Sequence, residues 1–291
     1  MIDNASLIDR TDINPTLAIF RVRPDQVPPA EEAWFLPGQY VTLGVGEIQR
    51  AYSIASEPDE RRWLEFYIRY ARDPETDSPL THRLWTIPVG GRLHVGAKIA
   101  GRFTLERTSA GSEPRGRLLV AAGTGLAPFV SMVRHARRRA EGDLARIAVL
   151  HGASHPQELA YREELADAAS RFGLAYRPTV SRPAQHPEWI GLTGRVETLF
   201  DDSRLGLGAI DPSRWGIYVC GFRDTIAETI RRLIGRGFVP EDRRLRRLLA
   251  IDDAARPSLF FEQYDLEPLF DPKDEARIEE LRRAIREGRG A

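Results

Sequence analysis

Cysteine is nearly absent: Cys220 is the only one in 291 residues. A lone thiol excludes a disulfide framework, and it excludes an iron–sulfur cluster held by this chain alone, because such clusters need several thiolates. Lysine is scarce too, standing only at positions 98 and 273, so the 42 basic residues are nearly all arginine. Arginine supplies planar forks suited to phosphate groups. Net charge is missing, with 42 acidic residues against 42 basic. No global field therefore draws the chain to nucleic acid or to an anionic membrane. No apolar run approaches the roughly 18 residues that read as a membrane span. The start, MIDNASLIDRTD, lacks the basic and apolar regions of a secretory signal. The expectation is a cytoplasmic protein without membrane insertion and without a nucleic-acid partner, long enough for two ordinary domains.

Two grammars divide the chain. From residue 1 to 107, short β-branched or aromatic runs alternate with turn residues: Leu17–Val22, Tyr40–Val45, Ala51–Ala55, Leu64–Tyr70, Arg92–Val95 and Arg102–Leu105. Short strands so closely spaced predict an antiparallel barrel or sandwich. The stretch SPLTHRLW, residues 78–85, interrupts them with one short helix. A polar linker over 108–116 follows. From 117 to 265 strands and helices alternate: strands at Leu118–Ala122, Ile147–His151, Leu174–Val180 and Ile217–Cys220, with helices after Pro128, over Pro156–Phe172 and over Asp224–Gly235. That alternation predicts a parallel sheet covered by helices. Residues 266–291 are charged, with Ile278, Leu281 and Ile285 at helical spacing.

Four places carry chemistry. In QRAYSIASEP, residues 49–58, Arg50 and Tyr52 project from one face of a strand, about 7 Å apart. A guanidinium beside an aromatic plane suits a ligand that is part phosphate and part flat ring, although exposed polar tips on a strand would look the same. AAGTGLAPF, residues 121–129, joins a strand to a helix, where free N–H groups favour an anion; a tight turn needs glycine for steric reasons as well. Arg182 and Arg195 follow the third strand of the second half and suit a 2′-phosphate, or are two solvated arginines among many. Cys220, a strand-end residue before Gly221, is by itself an ordinary small buried group.

Together these pieces resemble the ferredoxin–NADP reductase family, in its bacterial ferredoxin/flavodoxin reductase branch, from about residue 12 to Tyr264. PGQY, RAYS, LEFYIRY, PLTHRL, AAGTGLAPF, VSR, LTGR, YVCG and FFEQY occur in the family's order and near its spacing. The resemblance implies an antiparallel β-barrel domain binding FAD, followed by an α/β parallel-sheet domain binding NADP(H), plus a C-terminal helical extension. It implies that Arg50 pairs with the FAD pyrophosphate, that Tyr52 lies against the flavin, and that Ser53 hydrogen-bonds near flavin N5. Ala51, Tyr67, Ile68 and Arg69 would line the cofactor. Pro79, Leu80 and Thr81 would take the phosphates, and Thr124, Tyr264 and Asp265 would complete the FAD set. Gly123, Gly125, Pro128, Ala153, Ser154, Ser181, Arg182, Arg195 and Gly221 would hold NADP. Cys220 would sit near the nicotinamide C4, with Glu262 as a proton carrier, so that Ser53, Cys220 and Glu262 form the catalytic set. No metal is implied.

The implied activity is hydride transfer between NADP(H) and FAD and single-electron transfer to a separate ferredoxin or flavodoxin. Two features depart from the family. Ser154 stands where bacterial members often carry an arginine for the NADP phosphate. The chain also continues past FFEQYD, and this tail is expected to cover the flavin face or to form a dimer contact, or else to be a loosely attached helix. Two other readings remain open: the reductase component of an oxygenase with a separate iron–sulfur protein, and a non-catalytic flavin or nucleotide-binding regulatory subunit. The arginines 243, 244, 246 and 247 form a cluster that an acidic carrier would meet, or a solvated helix face.

Overall fold

The computed structural model describes residues 2–71, 80–108, 115–139, 144–264 and 267–288. The sequence expectations for Pro79, Asp265 and most of the linker fall outside these residues. The chain forms two compact units, Met1–Gly111 with Leu126–Gly142, and Ser112–Gly125 with Asp143–Ala291.

The first unit contains β1 (Ala5–Asn14), β2 (Leu17–Pro24), β3 (Tyr40–Val45), β4 (Ile48–Ser53), β5 (Leu64–Arg69), α1 (Leu80–Thr86), β6 (Arg92–Val95), the short α2 (Leu105–Thr108) and α3 (Ala127–Arg138). Its sheet is antiparallel, in the order β4-β3-β6-β1-β2-β5. The segment after β4 joins the two edges. Ile54 N donates to Gln39 O at 3.0 Å and Ala55 N to Glu65 O at 2.8 Å, which curls the sheet into a barrel around Phe20, Leu43, Ile54, Phe66 and Leu93. Strand β1 was not expected from the sequence, since charged residues and two register shifts, between Leu7 and Asp9 and between Asp12 and Asn14, hide its alternation. The strand expected at Arg102–Leu105 is absent. Gly101, at φ +112°, breaks the extended run, and α2 starts at Leu105.

Helix α3 belongs to this unit through polar anchors. Ser131 Oγ donates to Ser56 O at 2.6 Å, and Arg134 Nη1 donates to Ala55 O at 3.0 Å and to Glu65 Oε1 at 2.7 Å. Arg21 Nε reaches the other Glu65 oxygen at 2.8 Å. Burial works to raise the Glu65 carboxyl pKa, but Arg134 and Arg21 outweigh it and hold the group below the usual range. Such a buried carboxylate tolerates its desolvation only because both oxygens are paired.

The second unit contains β7 (Gly116–Ala122), β8 (Ile147–Ala153), α4 (Arg162–Phe172), β9 (Ala175–Val180), β10 (Leu192–Thr193), β11 (Trp215–Cys220), α5 (Arg223–Ile234), α6 (Arg243–Leu248), β12 (Leu259–Glu262) and α7 (Glu275–Gly288). Its sheet is parallel, in the order β10-β9-β8-β7-β11-β12. From β7 the chain runs outward through β8, β9 and β10, then returns to place β11 and β12 on the other side. That reversal is a topological switch point, where such sheets open a crevice at the strands' carboxyl ends. The single helix expected over Pro156–Phe172 is split into a 3₁₀ turn at Pro156–Glu158 and α4, because Tyr161 adopts φ +59°.

Helix α7 of the tail is not loosely attached. Helix α7 buries Ile278, Leu281 and Ile285 in the core of this unit, with Ile226, Ile230 and Leu233 of α5. Arg282 Nη2 donates to Leu248 O at 2.9 Å, and a Cβ at Gly288 would lie 1.9 Å from Gly235 O. The apolar face that the sequence leaves for a flavin or a second copy is therefore occupied within its own unit.

Two stability predictions follow from this packing. Leu281, fully buried, will cost about 2–5 kcal/mol on Leu281→Ala substitution, measured by chemical denaturation; a loss near zero would mean that α7 is not part of the cooperative core. His151 in β8 is buried beside Tyr176 Oη, at 3.0 Å from Nδ1, and burial lowers its pKa from 6.5 to about 3. Between those pH values the unfolded chain binds a proton that the native chain refuses. The contribution of His151 is thus fully present above pH 6.5 and is lost as pH falls towards about 3, with a slope of up to about 1.4 kcal/mol per pH unit. Denaturation at several pH values should show this component disappear in His151→Gln.

Candidate functional site

In the first unit, β4 is an edge strand that among the described residues pairs with β3. It sets Arg50 opposite Leu43, Tyr52 opposite Val41 and Ser53 opposite Tyr40. Arg50 and Ala51 are exposed, Tyr52 is half-buried and Ser53 is buried. Among the described residues the Arg50 guanidinium forms no ion pair, and its hydrogen bond goes to the neighbouring Gln49 carbonyl at 2.8 Å. Burial raises the Tyr52 phenol pKa to about 12 against the opposing pull of the Arg50 charge. Cation and ring are therefore electrostatic neighbours, as the strand period requires. An uncommitted guanidinium beside a partly open ring can take an anion joined to an aromatic system.

The remaining residues expected at this site divide by burial. Ile68 and Leu80 fill the barrel core, Tyr67 is buried, and Arg69 is half-buried. Thr81 is 7% exposed, and its Oγ1 accepts the Ala71 N–H at 3.1 Å, which ties the chain after β5 to the first turn of α1.

In the second unit the switch point is built on a steric constraint. A Cβ at Gly125 would lie 2.2 Å from Cys220 O and 2.6 Å from Gly221 N, and a Cβ at Gly221 would lie 2.9 Å from the Ala122 Cβ. Side chains are excluded there, so the turn after β7 and the end of β11 come together backbone to backbone. Gly123 takes φ +55° in that turn, Thr124 beside it is half-buried, and Pro128 falls in the first turn of α3. Cys220 is fully buried, with Sγ 3.1 Å from the Tyr264 hydroxyl. Glu262 faces Cys220 in the β11–β12 register. Burial first, and the Glu262 charge second, raise the thiol pKa well above its ordinary value, against weaker pulls from Tyr264 and the Gly221 N–H. Cys220 is thus a protonated thiol. Tyr264, expected against the flavin, has its hydroxyl on this thiol while the residue stays half-exposed.

The carboxyl ends of β8 and β9 form a second cluster. Ser181 N donates to Ala153 O at 3.0 Å and Arg182 N to Ser154 O at 3.2 Å. The buried Glu158 accepts the Ser154 N–H at 3.1 Å. These bonds bring Ala153, Ser154, Ser181 and Arg182 together and leave the Arg182 side chain exposed. Arg195 is used differently. Its Nε donates to the carboxylate of buried Glu197, and it lines a cavity of about 550 Å³ with Asp224, Glu228, Asp271 and Asp274. An anion would find Arg182 open and Arg195 already engaged in acidic surroundings.

Sequence reasoning missed two histidines at this cluster. His155 Nδ1 stands 2.9 Å from His186 Nε2, a pairing across 31 positions that no local pattern announces. The arginine cluster is also divided by the fold. Arg246 is buried, donating to the carbonyls of Pro240, Asp253 and Ala255, while Arg243, Arg244 and Arg247 are exposed.

Because Cys220 is buried and protonated, the native protein will not react with an aromatic disulfide reagent at pH 8, whereas the denatured chain will release one equivalent. Reaction of the native form at the denatured rate would contradict the burial.

Comparison with known proteins places the chain among similar sequences and folds. Residues 119–232 match the family model described as oxidoreductase NAD-binding domain. Ferredoxin–NADP reductase A of Sorangium cellulosum (strain So ce56) is 32% identical over 221 residues, 70% of this chain and 74% of that protein. The ferredoxin–NADP reductase of Azotobacter vinelandii is 29% identical over 220 residues, 70% of this chain and 80% of the other. Among solved structures, a ferredoxin NADP+ reductase from Neisseria gonorrhoeae with bound FAD and NADP superimposes with a TM-score of 0.71 at 22% identity, covering 89% of this chain and 97% of that one. Fold, motif order and the extent of the shared sequence lead to one assignment: the chain belongs to the ferredoxin–NADP reductase family.

Proposed function

We propose that this chain is an FAD-dependent reductase, moving hydride between NADP(H) and FAD and single electrons between FAD and a separate ferredoxin or flavodoxin, in the cytoplasm. The observation that carries the reading is the switch point, where Gly125 leaves room only for backbone beside Cys220 and Gly221. A nicotinamide can approach such a surface along the backbone, with the Cys220 thiol beside it.

The residues of β4 fit FAD. Arg50 offers an exposed cation for the pyrophosphate, Tyr52 an aromatic wall, and Ser53 a hydroxyl at the strand's end. FAD, when bound, supplies the redox chemistry, taking electrons as a pair and passing them on singly. The chain's part is binding and orientation. Cys220, held protonated, offers the nicotinamide an uncharged neighbour and is no nucleophile. Arg182, exposed beside Ser154, takes the 2′-phosphate, and Arg195 contributes less because Glu197 engages it.

Among the described residues no helix is long and apolar enough to cross a membrane. With one cysteine, the chain holds no cluster of its own, so its electrons leave to another molecule. An oxygenase-type iron–sulfur protein as that acceptor would change the circuit and not the chemistry of these residues.

The test is anaerobic reduction of the FAD-reconstituted protein by NADPH and by NADH, followed by turnover with ferredoxin and flavodoxin. Arg182→Ala should raise KM for NADPH by about 10–100-fold, the loss expected for a charge-assisted hydrogen bond, while leaving KM for NADH within about twofold. Equal effects on both nucleotides would overturn the role of Arg182, and a protein that neither binds FAD nor is reduced by either nucleotide would overturn the whole reading.

A further inference from the structure

The second unit holds a cavity that the switch point does not use. It measures about 860 Å³, within the roughly 300–1,000 Å³ of small-molecule sites. Helix α6 and the end of β12 line it together with residues of the tail, and Leu245, Leu248, Phe261, Leu269 and Phe270 make its walls apolar. Phe261 neighbours Glu262 along β12 and so projects to the opposite face of the sheet.

Fixed contacts hold these walls in place. Buried Arg246 donates to the carbonyls of Pro240, Asp253 and Ala255, which anchors α6. Arg282 of α7 donates through Nε and Nη2 to Leu248 O, at 3.2 and 2.9 Å, and ties the tail helix to the end of α6. A ligand entering walls already held in this way loses little of its binding free energy to ordering them.

Charge decides which ligand fits. Asp242, Arg244, Arg247, Glu267 and Arg282 are the ionisable side chains of the lining. Three of them are engaged: Asp242 accepts the Leu245 N–H at 2.7 Å as the cap of α6, Glu267 pairs with Arg223 at 3.1 Å, and Arg282 holds the Leu248 carbonyl. Arg244 and Arg247 remain. They stand three positions apart, on one side of α6. Both are exposed, and among the described residues neither guanidinium has a partner. The cavity therefore sets two open cations beside an apolar surface, which selects an anion with an apolar body. A carboxylate matches the guanidinium fork, and with one charge it costs less to desolvate than a doubly charged phosphate. Two phenyl walls and two guanidinium planes favour a flat ring over a flexible chain.

We propose that this cavity binds an aromatic carboxylate, with Arg244 and Arg247 taking the charge and the walls around Phe261 and Phe270 taking the ring. None of these residues belongs to the FAD and NADP(H) sets proposed above, so the site stands or falls apart from that reading.

The test is calorimetric titration of the full-length protein with 2-naphthoate, with excess FAD and NADP+ present throughout so that the nucleotide sites do not enter the readout. One molecule should bind per chain with Kd below about 1 mM. The neutral 2-naphthamide keeps the rings without the charge, acetate keeps the charge without the rings, and each should bind at least about tenfold more weakly. Arg244→Gln with Arg247→Gln should raise Kd for 2-naphthoate by about tenfold or more, the loss expected for hydrogen bonds to a charged group. Because both side chains are exposed, the thermal midpoint of the double variant should match that of the wild type. No binding of 2-naphthoate overturns the site. Equal binding of 2-naphthamide or acetate overturns the recognition of charge or of ring, and an unchanged Kd in the double variant places the ligand elsewhere and overturns the assignment to this cavity.

Discussion

The close approach of two strand ends in the parallel sheet is the constraint on which the candidate nucleotide site depends. Gly125 cannot carry a Cβ because the Cys220 carbonyl and the Gly221 amide already stand there. The Cys220 thiol is buried and held protonated, and the β11–β12 register sets it beside Glu262. Chain reversal at β7 makes this possible, since only neighbouring parallel strands running outward in opposite order open a crevice at their carboxyl ends. Glycine here serves packing first, and the ligand surface follows from it.

Arginine plays two roles in this molecule, and the partner each guanidinium meets separates them. Arg134 and Arg21 neutralise buried Glu65, Arg246 satisfies three backbone carbonyls, and Arg195 pairs with buried Glu197. Each such guanidinium offsets the desolvation of a polar partner and is poorly placed to capture a ligand. Arg50 and Arg182 are exposed and meet no carboxylate among the described residues. They are two open arginines, one in each unit, among several that include Arg243, Arg244 and Arg247.

The β4 cluster and the glycine turn were legible from residue order alone. Strand period places Arg50 and Tyr52 on one face, and a strand-to-helix glycine turn marks the carboxyl end of a parallel strand. Hidden from such reading were β1, whose alternation is broken by register shifts, the missing strand at Arg102–Leu105, where Gly101 turns the chain, and the split before α4 at Tyr161. The histidine pair was hidden for another reason. Its members are 31 positions apart, and only pairing of β8 with β9 brings their loops together.

By itself, the amino-acid order determined the two sheet types, the motif succession and the residue classes available for an anion, a ring and a strand-end thiol, because periodicity and turn chemistry act over a few residues. Tertiary structure alone decided which arginines stay open, that Tyr264 meets Cys220, that the tail helix packs on α5, and that two distant histidines come into contact. Burial and charge pairing are set by neighbours in space, and those neighbours exist only once the strands have found their order.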